Sequence, residues 1–339
     1  MYSIALTGGG TAGHVIPNLA IVPELLKYFD KIIYIGSVDG IEKQLVSDYG
    51  VSFFSVNCIK FNRSNIISNI KIPYVLCRGI AQAKKILLKE LISVVFSKGG
   101  YVSLPTCLAA NSLKIPVIVH ESDFSLGLAN RITSLFAKQV LTSFSETKGG
   151  VYTGNPIRSE IFNGNAALIK TKYGFDNRPV VLIFGGSSGS LAINSAVYPI
   201  VMSLTKNYNI IHITGKQQVN ITTHGYVQLS YAKNICDYYA AADAIVIRGG
   251  ANSLCEAIAL RKKILCIPLP KGRSSRGDQS ENVNRYSETF LRVLEQSKLT
   301  PTTLLSEIDL LFSMPDTNEK MQKTNTNAII VGEIIKHVH

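Results

Sequence analysis

Ile4-Ala5-Leu6-Thr7-Gly8-Gly9-Gly10-Thr11-Ala12-Gly13 decides the fold, because the pattern returns as Val180-Val181-Leu182-Ile183-Phe184-Gly185-Gly186-Ser187-Ser188-Gly189. Both copies read GGxxG, and positions 9, 10 and 13 recur at 185, 186 and 189, a constant offset of 176 residues. Each copy is entered by a short β-type run and left by an apolar, helix-compatible stretch. Glycines in such a turn let backbone N–H groups come close to an anion at a helix N-terminus. A chain that builds this turn twice is expected to form two α/β halves facing each other across a cleft, with phosphate-bearing substrates bound there.

Outward from the two loops the pattern is β-turn-α, repeated, the mark of a largely parallel sheet. In the first half it predicts strands at 3–7, 31–36, 52–56, 94–97, 117–120 and 139–142, and helices at 18–29, 41–49, 74–91, 106–113 and 126–136. The second half restarts at Val180, with strands at 180–184, 209–213, 226–229, 244–247 and 264–268 and helices at 191–204, 235–242 and 253–260. Gly149-Gly150-Val151-Tyr152-Thr153-Gly154-Asn155-Pro156 reads as the crossing between halves. This sets a first domain at 1–158 and a second at 159–321, with a final helix within 322–339 expected to pack back on the first.

At 339 residues and 46% apolar content the chain has material for two cores, which argues against disorder. The net charge of +12 calls for an anionic partner. Much of it is local: residues 60–98 hold eight Lys and Arg against Glu90 alone. Aliphatic and aromatic residues lie between those cations, including Ile66, Ile67, Ile70, Ile72 and Tyr74. That mixture fits a peripheral site on an anionic inner leaflet, or an ordinary solvated basic helix face. Nucleic acid is not expected, because no reader motif is present. The six cysteines show no CxxC and no metal spacing, which fits a reducing cytosol. No signal peptide and no apolar run of ~18 residues is read, so no membrane span is expected.

Gly8-Gly9-Gly10-Thr11-Ala12-Gly13 also satisfies GxGxxG, but a dinucleotide site needs an acidic residue at the end of the second strand, and that strand ends at Gly36-Ser37. No GxxxxGK[ST] loop is present either. Taken on to His14-Val15-Ile16-Pro17, the first loop resembles the opening motif of the MurG family of peptidoglycan glycosyltransferases. The resemblance continues at 98–105 (KGGYVSLP), 120–123 (HESD), 127–131 (GLANR), 153–158 (TGNPIR), 185–187 (GGS), 248–256 (RGGANSLCE) and 277–282 (GDQSEN). Ser122-Asp123 departs from the Gln-Asn pair of many members, and a carboxylate at 123 can accept but not donate hydrogen bonds. The resemblance implies an α/β glycosyltransferase-B architecture of two Rossmann-like parallel-sheet domains. The first would face acceptor and membrane, and the second would hold the UDP-sugar.

It also implies roles for single residues. His14 would be the catalytic base, since transfer to a hydroxyl needs one and imidazole titrates near neutrality; a helix cap or phosphate ligand is the plainer alternative. Gly9, Gly10, Tyr101 and Glu121 would face the acceptor. The N–H groups of Thr11, Ala12 and Gly13 would meet the edge of the donor, unless the turn serves packing alone. Asp123 and Asn130 are further donor contacts. In the second half, Glu256 would take the ribose hydroxyls, or else would favour a helix dipole. Ala251, Asn252 and Ser253 would present N–H groups to the donor diphosphate. Ser187 would bond the UDP and Ile235 the uracil. Asp278 and Gln279 would bond sugar hydroxyls, against the alternative of a solvated loop. Arg158 suits phosphate, or an ordinary salt bridge. No Asp-x-Asp and no metal-spaced cluster is found, so neither metal nor cofactor is expected, and helix dipoles with N–H donors would hold the leaving diphosphate.

The implied activity is inverting transfer of N-acetylglucosamine from UDP-N-acetylglucosamine to the 4-hydroxyl of the N-acetylmuramyl-pentapeptide on undecaprenyl diphosphate. That turns lipid I into lipid II at the cytoplasmic face of the cell membrane. A related UDP-sugar-dependent diacylglycerol glycosyltransferase and a non-catalytic nucleotide-sugar-binding protein are the alternatives.

Overall fold

The computed structural model describes residues 2–61, 67–186, 189–272, 275–286, 291–315 and 325–338. The chain divides into two compact units, Met1–Arg158 with Thr324–His339, and Ser159–Lys323.

The first unit runs β1 (Ser3–Thr7), α1 (Ala12–Ala20), α2 (Val22–Leu25), β2 (Lys31–Ser37), α3 (Glu42–Ser47), β3 (Ser52–Val56), α4 (Ile72–Lys89), β4 (Val94–Ser97), α5 (Ser103–Ser112), β5 (Val117–Glu121), α6 (Leu128–Thr133), β6 (Gln139–Thr142) and β7 (Val151–Tyr152). Among the described residues these strands form one parallel sheet in the order β3-β2-β1-β4-β5-β6-β7. Both faces are covered, so the central strands are apolar at successive positions. In β1 the side chains alternate between two cores. Ile4 and Leu6 pack with Val15, Leu19, Leu25, Tyr34 and Phe96, while Ala5 packs with Ile35, Ala83, Leu87 and Cys107.

The second unit runs α7 (Ala166–Tyr173), β8 (Val180–Phe184), α8 (Leu191–Val197), α9 (Val201–Asn207), β9 (Asn209–Ile213), β10 (Tyr226–Leu229), α10 (Ile235–Ala241), β11 (Ala244–Ile247), α11 (Ala251–Ala259), β12 (Lys263–Cys266), α12 (Asp278–Val283), β13 (Leu291–Val293) and α13 (Pro301–Ser313). Its sheet is again parallel, in the order β10-β9-β8-β11-β12-β13. Val181, Ile183, Ile210 and Val246 pack under Ile193, Leu204, Leu304 and Ile308. The last helix, α14 (Thr326–Ile335), returns to the first unit, where Ile330, Val331 and Ile334 are fully buried beside Ile4 and Leu19. Among the described residues no helix is long and apolar enough to cross a membrane.

Several helix boundaries differ from the sequence expectation. The first helix starts at Ala12 rather than 18, after Thr11 in extended conformation, and carries Pro17 inside it. Pro17 removes one rung of the hydrogen-bond ladder, but packing of Val15 and Leu19 holds the helix. The expected 191–204 helix is broken at Pro199, where 198–200 tighten into a 3₁₀ turn. The 253–260 helix begins two residues earlier, at Ala251. The sequence reading also left out β7, β13, α7, α12 and α13, although Thr300 and Thr303 form a capping box before α13.

Candidate active site

In both units the strand order reverses next to the strand that carries a glycine loop, at β1/β4 and at β8/β11. A parallel sheet opens a crevice at such a switch point, beyond the carboxyl ends of its strands.

In the first unit the loop leaves β1 and passes straight into α1. His14 lies in the first turn, half-buried, and its Nδ1 is 3.0 Å from the Thr11 hydroxyl. Gly10 has φ +86 and no room for a side chain, because the Tyr101 ring occupies the place of a Cβ. At Gly100 a Cβ would collide with the Gly9 carbonyl and approach His14 Nδ1 at 3.3 Å. Gly9, Gly10, Tyr101 and His14 are therefore brought together. The Gly10 N–H, however, donates to Glu42 Oε1 at 2.7 Å, so this amide of the loop is committed within the protein. Sequence reasoning missed Glu42. Burial first, and then the Cys58 and Glu42 charges, raise the Tyr101 pKa; burial and then Glu42 push the Cys58 thiol up to about 12.

The ends of β4 and β5 build a second group. The buried Glu121 carboxylate accepts from Asp123 N–H (3.0 Å), Gly127 N–H (2.8 Å) and Asn130 Nδ2 (2.9 Å). It thus organises the 121–130 loop, which leaves it a smaller part as an acceptor contact than the motif alone implies. Asn130 Nδ2 also points at the His120 carbonyl, while its Oδ1 is buried against Gly99. Beneath them Lys98, 2% exposed, donates to His120 Nδ1 and to Ser122 Oγ at 2.7 Å, and Ser122 donates to Asn155 Oδ1 at 2.7 Å. His120 Nε2–H then faces the Gly154 carbonyl at 2.9 Å. Burial, with Lys98 adding to it, holds the His120 pKa well below its usual value and keeps the ring neutral. Ser122, the departure from the family pair, is one link of this network. Arg158 is half-buried at the end of the unit.

In the second unit Gly186 (φ +94) and Gly189 (φ +78) shape the loop after β8, and Ser187 lies outside the described residues. Arg248, at the end of β11, donates to Ser190 Oγ at 2.6 Å and to the Ile267 carbonyl at 3.0 Å. It ties the N-cap of α8 to the chain beyond β12 and keeps a positive charge at the glycine loop. Ala251, Asn252 and Ser253 are the first three residues of α11, where no preceding helical carbonyl takes the backbone N–H groups. Glu256 is 6% exposed and sits in the second turn, which removes the first-turn dipole explanation for it. Ile235 opens α10, and Asp278 and Gln279 open α12 after Gly277 in left-handed conformation. Gln279 Oε1 accepts from Leu269 N–H at 2.9 Å, which leaves its amide nitrogen for a ligand. Asp278 lies 3.7 Å from Arg276 Nε. Among the described residues no group of His, Cys, Asp and Glu is spaced to hold a metal ion.

Comparison with known proteins also divides the chain in two, with α14 falling in the second match. Residues 4–142 match the glycosyltransferase family 28 N-terminal domain and 180–337 its C-terminal domain. The chain is 40% identical, over 99% of both chains, to a UDP-N-acetylglucosamine--N-acetylmuramyl-(pentapeptide) pyrophosphoryl-undecaprenol N-acetylglucosamine transferase of Clostridium botulinum (strain Loch Maree / Type A3). A protein of the same name from Clostridium tetani is 40% identical over 96% of this chain and 93% of its own. In fold it resembles crystalline Acinetobacter baumannii MurG, with a TM-score of 0.74, 22% identity, and coverage of 99% of this chain and 100% of that one.

Proposed function

This chain belongs to glycosyltransferase family 28, and from that premise we propose that its second unit binds the UDP-sugar while the His14 loop of its first unit handles the acceptor. The enzyme is a UDP-N-acetylglucosamine-dependent glycosyltransferase of peptidoglycan synthesis, of the kind that converts lipid I to lipid II.

In the proposed reaction Glu256 accepts the ribose hydroxyls. The amides of Ala251, Asn252 and Ser253, with the α11 dipole and the second glycine loop, hold the diphosphate. Ile235 borders the uracil, and Asp278 and the Gln279 amide meet sugar hydroxyls. Arg158 and the Thr11–Gly13 amides contact phosphate, and Asp123 and Asn130 lie with them. With its Nδ1 proton on the Thr11 hydroxyl, 3.0 Å away, His14 would present Nε2 as the basic nitrogen. Nε2 takes the proton of the muramyl 4-hydroxyl as that oxygen attacks the anomeric carbon, the bond to the UDP oxygen breaks, and the configuration inverts. The observation that carries this reading is the pair of glycine loops, each at the switch point of its own sheet, one leading into His14 and the other beside a helix with a buried glutamate.

The acceptor lipid calls for a membrane surface, and α4 offers one. Its buried line is Gly79, Ala83 and Leu87, and its exposed line is Tyr74, Arg78, Lys85, Leu88 and Lys89. Tyr74 is 70% exposed. Cations interleaved with exposed apolar groups suit an anionic leaflet, with the enzyme held peripherally on its cytoplasmic face. Arg63 of the basic segment lies outside the described residues. UDP release measured with a lipid I analogue beside diacylglycerol tests the reading: turnover with the lipid I analogue alone is expected, and turnover with diacylglycerol alone would overturn it.

A further inference from the structure

Glu42 opens α3, five residues beyond the end of β2, and is fully buried. Oε1 accepts from the Gly10 N–H and Oε2 from Ser37 Oγ, each at 2.7 Å. Room for the side chain comes from glycines. A Cβ on Gly9 or Gly40 would overlap the carboxylate, and one on Gly36 would stand 3.1 Å from the Glu42 Cβ. None of these three has the left-handed backbone that glycine alone adopts readily, so Gly9 and Gly40 are small to make space for the carboxylate, and Gly36 chiefly for the Phe53 ring.

Burying a carboxylate costs folding free energy unless donors satisfy it. Here the donors are a strand-end hydroxyl and one amide of the loop that leads to His14. In a dinucleotide-binding unit the carboxylate at the end of the second strand faces a ribose. In this unit both oxygens turn inward, onto the protein's own loop. Gly10 is thereby held between Glu42 on its N–H and the Tyr101 ring against its α-carbon.

We propose that Glu42 is a positioning residue for the transfer: it clamps the Gly9-Gly10 turn so that His14 and the Thr11–Gly13 amides are presented in one arrangement. The proposal rests on the reading of this loop as the acceptor-side catalytic loop. Misplacement of a reacting group by about 1 Å can cost 10²-fold in rate. Glu42→Ala is therefore expected to lower kcat with lipid I analogue by about tenfold or more, with UDP affinity by calorimetry unchanged. Glu42→Gln, whose amide oxygen can still accept from Gly10, should recover most of the rate. Gly40→Ala places a Cβ on the carboxylate and on Ser37 Oγ, displacing the side chain while residue 42 stays Glu, and should reproduce the Glu42→Ala loss. The double variant should then be no worse than Glu42→Ala alone, because both act through one contact.

Hydrogen exchange over residues 8–14 reads the clamp without turnover, and faster exchange is expected in Glu42→Ala and Gly40→Ala. Normal kcat together with normal exchange in both variants overturns the proposal. So does a fall in UDP affinity parallel to kcat, which would mark general damage. If wild type itself fails to use the lipid I analogue, the acceptor reading falls, while the exchange result still decides whether Glu42 holds the loop.

Discussion

Single residues carry the chemistry, and their neighbours decide how much of it they can do. Glu256 lies in the second turn of α11 and is nearly buried, past the first turn where a carboxylate would act on the helix dipole. Charge-assisted hydrogen bonds are worth about 1.5–3 kcal/mol, so Glu256→Ala is expected to weaken UDP binding about tenfold or more; calorimetry with unchanged affinity would remove Glu256 from the ribose. His14→Ala is expected to lower kcat by about 10²–10⁴-fold, the usual range for a lost general base, with UDP-sugar affinity within a few-fold. A loss confined to acceptor KM would make His14 a ligand instead. Both were legible as candidates because they stand inside motif blocks. Glu42 was not, since its partner Gly10 is 32 positions away and nothing in the local pattern joins them. The commitments of Glu121, Asn130 and Gln279 were hidden for the same reason: a residue name states which atoms can bond, and folding states which do.

At the scale of elements, α4 and β9 each make a measurable statement. The outward line of α4 interleaves Arg78, Lys85 and Lys89 with Tyr74 and Leu88. Each cation near an anionic surface contributes about 1 kcal/mol. Replacing the three by Gln should weaken binding to anionic vesicles and flatten its salt dependence, with UDP affinity untouched; equal vesicle binding would clear α4 of that role. In β9, His212 is fully buried, with Nδ1 3.0 Å from Tyr226 Oη and Nε2 3.0 Å from Asn194 Oδ1. Burial lowers its pKa to about 4. The unfolded chain takes a proton there below ~6.5, while the folded chain stays neutral. Stability is thus complete above ~6.5 and falls with pH toward 4, by about 3 kcal/mol for this group. His212→Gln should flatten the stability–pH curve over that window in denaturant titrations; an unchanged curve would place the titration elsewhere. The strands were legible as apolar runs, and the glycine loops marked their ends. Helix starts were less so, because Pro17 and Pro199 have opposite outcomes that depend on what each turn packs against.

For the whole molecule, the informative fact is that the last helix belongs to the first unit. Ile330, Val331 and Ile334 of α14 complete a core begun at Ile4, across the entire second unit in sequence. Truncating a buried Ile to Ala costs about 2–5 kcal/mol. Ile334→Ala should therefore lower the melting temperature of the first unit while UDP still binds the second with normal affinity; loss of UDP binding would mean that the units are not separable in this way. By itself the sequence determined the two parallel-sheet units, their glycine loops and the class of enzyme. A strand buried on both faces must be apolar along its length, and a loop that meets phosphate must be glycine-rich, so these demands are written locally. Only the tertiary structure decided the strand order around β1 and β8, which residues of α14 enter the first core, and the carboxylate that holds the Gly10 amide. Those depend on contacts between residues far apart in the chain, which local pattern does not encode.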